Sequence, residues 1–82
     1  SMGLLRSEFN STNIDNATFE NAGLGRITFQ YAKLRHANFR NADLTRADFT
    51  GAYLDGADFT GATVKDAVFD GASLSGVIGS TH

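Results

Sequence analysis

All seven phenylalanines of the chain stand ten residues apart, at Phe9, Phe19, Phe29, Phe39, Phe49, Phe59 and Phe69. Midway between them fall Leu4, Ile14, Leu24, Leu34, Leu44, Leu54, Val64 and Leu74. A large apolar residue, the centre of each repeat, therefore recurs at every fifth position. All eleven alanines lie two residues before such a centre, and between 17 and 72 only Ile27 interrupts that register. A period of five excludes a helix, in which each step of five turns roughly 500° and spirals the apolar set around the cylinder. In an extended segment, residues two apart point the same way. Alanine and centre then share one inward face, the residue between them points out, and the last two residues turn the chain. Each pentad is a very short strand followed by a corner.

The corner is visible in the residue two after the centre. Gly or Asn stands there at Asn16, Asn21, Asn41, Gly51, Gly56, Gly61, Gly71 and Gly76. Both types tolerate the positive φ that a type II turn needs at its third residue. Arg26, Tyr31, His36, Arg46 and Asp66 break that rule, which predicts looser turns at those corners and more regular ones after Gly51.

The pattern resembles the pentapeptide-repeat family, whose consensus reads A-(D/N)-L-x-x. Ala42-Asp43-Leu44-Thr45-Arg46, Ala47-Asp48-Phe49-Thr50-Gly51 and Ala57-Asp58-Phe59-Thr60-Gly61 match it directly. The resemblance covers nearly the whole chain. It implies an all-β fold, a right-handed quadrilateral β-helix of about four coils with one pentad per face. Four pentads per coil stack residues twenty apart at a spacing of ~4.8 Å. The centres then form two facing Phe walls and two facing aliphatic walls. Ile27, where alanine is expected, predicts a face bulged outward or a displaced neighbour. Ser7 and Thr12 also replace alanine, so the first coil is expected to be the least regular. Ser1-Met2 resembles the remnant of a cleaved tag. Residues 1–3 are accordingly read as a leader, 4–78 as the β-helix and 79–82 as a tail.

Stacking at twenty also arranges the surface. Asp15, Arg35 and Asp55 share a column and predict a carboxylate–guanidinium–carboxylate ladder, and Glu20 falls over Arg40. Arg6, Arg26 and Arg46, followed by Asp66, form a column of like charge with Glu8 and Asp48 nearby. One reading of that column is a site for an anion or an acidic partner, since guanidinium forks suit carboxylate and phosphate. The other is a solvated, partly paired stripe. Tyr31 and Tyr53 are candidate exposed anchors for a partner.

Function is less legible. A net charge of −2 suits neither a general nucleic-acid binder nor a strongly acidic mimic of one. The chain has no cysteine, so disulfides and thiolate metal sites are excluded. No Ser/His/Asp grouping, phosphate loop or histidine–carboxylate cluster appears, and His36 is the one internal histidine. Asp43, Asp48 and Asp58 are outward consensus residues rather than an acid–base pair. The threonines are scattered over several columns, which argues against an ice-binding array. No enzyme activity, cofactor, metal, nucleic acid or membrane is therefore expected, and the compartment favoured is the cytoplasm, for want of a signal or membrane-spanning pattern.

The leading expectation is a structural or protein-interaction module. The alternative rests on the resemblance: some family members mimic duplex DNA and bind a type II topoisomerase, gyrase. About four coils make a stub under ~20 Å, and the near-neutral charge also disfavours that alternative. The last coil presents Phe59, Val64, Phe69 and Leu74 edge-on, followed by Val77 and Ile78. Nothing in the sequence offers to cover them, so a tail-to-tail homodimer through the C-terminal coil is expected. The competing expectation is a longer native chain that supplies a cap.

Overall fold

A computed structural model describes residues 8–79. Leu4, Arg6, Ser7, the leader at 1–3 and residues 80–82 of the tail lie outside the described residues. Every backbone bridge joins a residue to the one twenty further on, in parallel, from Glu8↔Thr28 to Asp58↔Ile78. Four pentads thus close one coil, and each coil stacks on the next as one rung of four short parallel ladders.

The five N–H groups of a pentad have distinct fates, seen in Ala57-Asp58-Phe59-Thr60-Gly61 and its neighbours. The alanine N–H closes the preceding turn, as in Ala57 to the Leu54 carbonyl at 2.9 Å. The second residue donates back one coil, Asp58 to the Ala37 carbonyl at 2.9 Å, and the centre donates forward, Phe59 to the Ile78 carbonyl at 2.8 Å. The fifth residue donates forward too, as Asn41 does to the Thr60 carbonyl at 2.9 Å. The fourth residue's N–H has no place in the ladder and is left for a side chain.

The centres form the predicted walls. Rings within a column stack at 5.0–5.5 Å, as in Phe39–Phe59 at 5.0 Å and 6°. Rings of the two facing columns meet edge to face, as in Phe39–Phe49 at 5.7 Å and 86°. That arrangement sets the electropositive edge of one ring against the electron-rich face of the next. Among the described residues fourteen are buried, from Ile27 to Phe59, and all are apolar. Coils on either side of this span are half-buried.

Two expectations about the corners are overturned. Arg26, Tyr31, His36, Arg46 and Asp66 adopt positive φ of 59–64°, the same conformation as the Asn and Gly corners. Corners after Gly51 are no more regular than those before it. The ladder bonds on both sides fix each corner, so the backbone takes the left-handed conformation whatever the side chain. The predicted bulge at Ile27 is also absent. Its N–H closes the turn on Leu24 at 3.1 Å and its carbonyl accepts from Asp48 at 2.9 Å. Ile27 is the first buried residue among those described, next to a half-buried coil, and the added volume fits there without displacing the strand. The first described coil does show the expected irregularity at Thr12. Its N–H reaches the Phe9 carbonyl only at 3.4 Å, and its hydroxyl supplements that bond at 2.6 Å.

Candidate functional site

Interior positions are filled by side chains, so the chemistry lies on the outer columns and at the open end. Three surface features result.

The first is a set of side-chain clasps over the unpaired fourth N–H. In three Asp-x-Thr segments the aspartate Oδ1 accepts from the threonine N–H at 2.9–3.1 Å and from its hydroxyl at 2.6 Å. These are Asp43–Thr45, Asp48–Thr50 and Asp58–Thr60. Hydroxyl donation draws the carboxyls of Asp43 and Asp58 below the usual carboxylate range. Burial pushes Asp48 up, but donation from Thr50 and from Gln30 outweighs it and the net direction is down. The clasps went unseen in the sequence reading, although Asp-x-Thr recurring in the repeat register was the available signal. Elsewhere the acceptor comes from the coil before. Asn10 Oδ1 accepts from Gln30 N–H at 2.8 Å, and Asp15 Oδ1 from Arg35 N–H at 2.9 Å.

Surface charge follows the expected columns in part. Arg35 pairs with Asp15, Nη2 to Oδ2 at 2.5 Å, and this guanidinium holds the Asp15 carboxyl low. Asp55 does not complete the ladder; it accepts from the Ser73 hydroxyl. Arg40 does not pair with Glu20. It reaches Asp58 at 3.2 Å, while Glu20 accepts from the Asn38 amide at 3.3 Å. The reason is geometric. The fourth residue of one pentad lies diagonally beside the second residue of the pentad one coil on, eighteen positions away. Gln30–Asp48, at 2.6 Å, uses the same diagonal.

The second feature is the arginine column. Arg26 and Arg46 line one open groove of about 430 Å³ together with Gly25, Thr45, Lys65 and Asp66. Among the described residues neither arginine has a carboxylate within ion-pair distance. Asp48 is engaged with Thr50 and Gln30 and does not neutralise them. Arg6 lies outside the described residues.

The third is the C-terminal end. Phe59, Val64, Phe69, Leu74 and Val77 line an open apolar concavity of about 320 Å³ with Ala62, Gly76 and Gly79. Phe59 is buried beneath it, and Leu74 is 46% exposed. Ile78 pairs with Asp58 through the backbone and so occupies an outward position on the flank, at the perimeter of the end. Back-donated rungs run without a break from Lys33 to Ile78. At the free edge of the last described coil the N–H groups of Val64, Phe69 and Leu74 and the carbonyls of Ala62, Ala67 and Ala72 have no backbone partner among the described residues.

Tyr31 and Tyr53 are both exposed, at 59% and 44%. Among the described residues no three His, Asp or Glu side chains gather as a metal ion would require, and no helix is long and apolar enough to cross a membrane.

The comparisons agree with this architecture. A family model described as pentapeptide repeats, with eight copies, matches residues 24–61 and 52–78. The chain is similar to HetL, a pentapeptide repeat protein involved in heterocyst differentiation regulation from the cyanobacterium Nostoc sp. strain PCC 7120. Identity is 34% over 92% of this chain and 34% of that one, with a TM-score of 0.80. It is also similar to a pentapeptide repeat protein of the Arabidopsis thaliana thylakoid lumen, at 32% identity over 87% of this chain and 57% of that one, with a TM-score of 0.68. Rfr23 from the cyanobacterium Cyanothece 51142 shares the fold, with a TM-score of 0.53 at 23% identity over 87% of this chain and 55% of that one. The chain spans about a third of the length of HetL and a little over half that of the Arabidopsis protein. No curated protein matches it. Period, register and likeness agree, and the chain belongs to the pentapeptide-repeat family of right-handed quadrilateral β-helices.

Proposed function

We propose that the chain is a non-enzymatic protein-interaction module whose C-terminal coil pairs tail to tail with a second copy. The observation that carries this reading is the last described coil, which combines an apolar concavity with a ladder edge that has no backbone partner among the described residues. On each face the free edge offers an alanine carbonyl and, two residues later, a centre N–H. Ala62 with Val64, Ala67 with Phe69 and Ala72 with Leu74 supply three such pairs. A copy related by a two-fold axis presents the same two groups in reverse order. That is the donor–acceptor pattern of a widely spaced antiparallel pair, so two identical edges can satisfy each other. A two-fold contact also closes after two subunits, whereas head-to-tail stacking continues into a filament.

The non-enzymatic part of the reading is supported by the distribution of chemistry. Among the described residues the buried core is wholly apolar, and the polar side chains stand in outward columns, most of them tied to one another or open to solvent. Such a prism recognises by presenting groups at fixed spacing. HetL, of which this chain spans about a third, is described as involved in regulation, a role that accords with action through contacts.

Sedimentation velocity tests the pairing. The wild type is expected to sediment as a dimer at tens of micromolar. The variant carrying Val77→Asp and Ile78→Lys is expected to sediment as a folded monomer, with its fold checked by circular dichroism. A wild type that stays monomeric at high micromolar concentration removes the homodimer, and a dimer that survives in the variant moves the interface elsewhere.

A further inference from the structure

We infer that the groove at the Arg26–Arg46 corner binds a dianionic oxyanion of the phosphate or sulfate type. The inference is independent of the pairing proposed for the C-terminal coil. Three observations carry it.

The groove gathers Arg26, Arg46 and Lys65 against the single carboxylate of Asp66. Three cationic side chains against one carboxylate leave two positive charges uncompensated in the groove. A monocarboxylate would leave one of them unneutralised; a phosphoryl or sulfate dianion matches both. Successive guanidiniums on a coil edge are ~4.8 Å apart at the backbone, and one tetrahedral ion can accept from both forks at once.

The backbone adds donors. Fourth-position N–H groups are clasped by side chains in many pentads, including Thr45 by Asp43 at 3.1 Å. Those of Gly25 and Lys65 have no acceptor among the described residues: Gly23 carries no side-chain acceptor, and Thr63 and Thr45 do not supply one. Both residues line the groove. Two uncommitted N–H donors thus stand beside the three cations.

The corner also keeps its arginines against local preference. Arg26, Arg46 and Asp66 occupy the left-handed region, at φ of 64°, 62° and 59°. The other three corner columns each contain glycine, and this one contains neither glycine nor asparagine. Like charges stacked one above another on strained corners are unfavourable twice over for the fold alone. A bound dianion relieves the repulsion.

The test is a titration of the isotope-labelled full chain with inorganic phosphate, sulfate and chloride at matched ionic strength. It follows the Arg26 and Arg46 Nε–Hε resonances and the Gly25 and Lys65 amides. Saturable shifts with both dianions and none with chloride are expected. Arg46→Gln should weaken phosphate binding about tenfold. Gly25→Glu should do so at least as strongly by filling the groove with a negative charge. That variant is expected to keep the fold, because among the described residues a Cβ there meets nothing nearer than the Thr45 carbonyl at 3.8 Å. Arg40→Gln, on another column and tied to Asp58, should leave binding unchanged. O-phosphoserine titrated in parallel separates the two sources of the group: tighter binding than inorganic phosphate assigns a phosphorylated side chain, weaker binding a free ion. Linear shifts that never saturate, equal shifts with chloride, or an equal loss in Arg40→Gln overturn the site.

Discussion

The ring of Tyr31 lies across Gly51, twenty residues on, so closely that a Cβ added to Gly51 would sit 2.5 Å from two ring carbons. His36 covers Gly56 in the same way. At these corners a large residue on one coil lies over a glycine on the next, and the glycine supplies both the positive φ and the space. Tyr31 is thereby a surface ring resting on backbone, which explains how a bulky left-handed residue is accommodated there.

Gly51→Ala should destabilise the fold by about 1–2 kcal/mol, from the left-handed Cβ and from displacement of the ring. Combining it with Tyr31→Ala should cost less than the two singles added together, because the ring is then already gone. Chemical denaturation of the four proteins checks this. Strict additivity would show that the ring and the glycine do not interact.

Phe39 is fully buried, stacked between Phe19 at 5.1 Å and Phe59 at 5.0 Å and edge-on to Phe29 and Phe49. Phe39→Ala opens a cavity where four rings meet and should cost ~3–5 kcal/mol. A melting temperature within a few degrees of wild type would falsify the stacked register.

Thr28 stands between Ile27 and Phe29, with its hydroxyl buried and without a hydrogen-bond partner among the described residues. Thr28→Val replaces that oxygen by a methyl group of similar size and keeps the β-branched shape. Stability should rise by about 1 kcal/mol or more, since an unsatisfied hydroxyl costs roughly 1–3 kcal/mol. Loss of stability in thermal melts would mean that the hydroxyl has an acceptor.

The depressed carboxyls set the response to acid. Asp15 is lowered by the Arg35 guanidinium, and Asp43 and Asp58 by threonine hydroxyls. A group whose folded pKa lies below its unfolded value of about 3.9 contributes stability that is present above that value. The contribution is lost as pH falls through the folded pKa. The melting temperature should therefore be level from neutral pH to roughly pH 4.5 and fall below about pH 4. Asp43→Asn with Asp58→Asn should make that fall shallower, because the amide oxygen still accepts but does not titrate. An unchanged slope in the double variant would assign the acid response to other groups.

The inward half of each pentad was legible because its period is the fold's period. Ala42, Leu44, Ala47 and Phe49 declare their direction by type alone, and the twenty-residue register follows from closing four such units. The outward half was read less well. Stacking at twenty predicted Arg35 over Asp15 correctly. It misassigned Arg40, whose nearest carboxylate is Asp58 on the diagonal at eighteen. Long side chains reach diagonal neighbours as easily as direct ones, so a column diagram alone cannot choose between them. Lys65 was likewise missed at the arginine groove because it stands one residue before the arginine column and joins it only across the corner. The corners themselves were misjudged from residue type, since the ladders on either side of Arg26 or His36 dictate φ regardless of preference.

Burial begins at Ile27 and ends at Phe59. Roughly one coil at each end of the described stack is therefore rind, and only its middle has a true interior. In a square solenoid the rind is constant while the interior lengthens with every coil, as in other one-dimensional repeats. Stability should consequently climb steeply over the first few coils and then settle to a constant gain per coil. With about four coils, removing one would take away about half of the interior, and adding two would about double it. Length, more than any single contact in the column of rings, is the variable on which the rigidity of this prism depends.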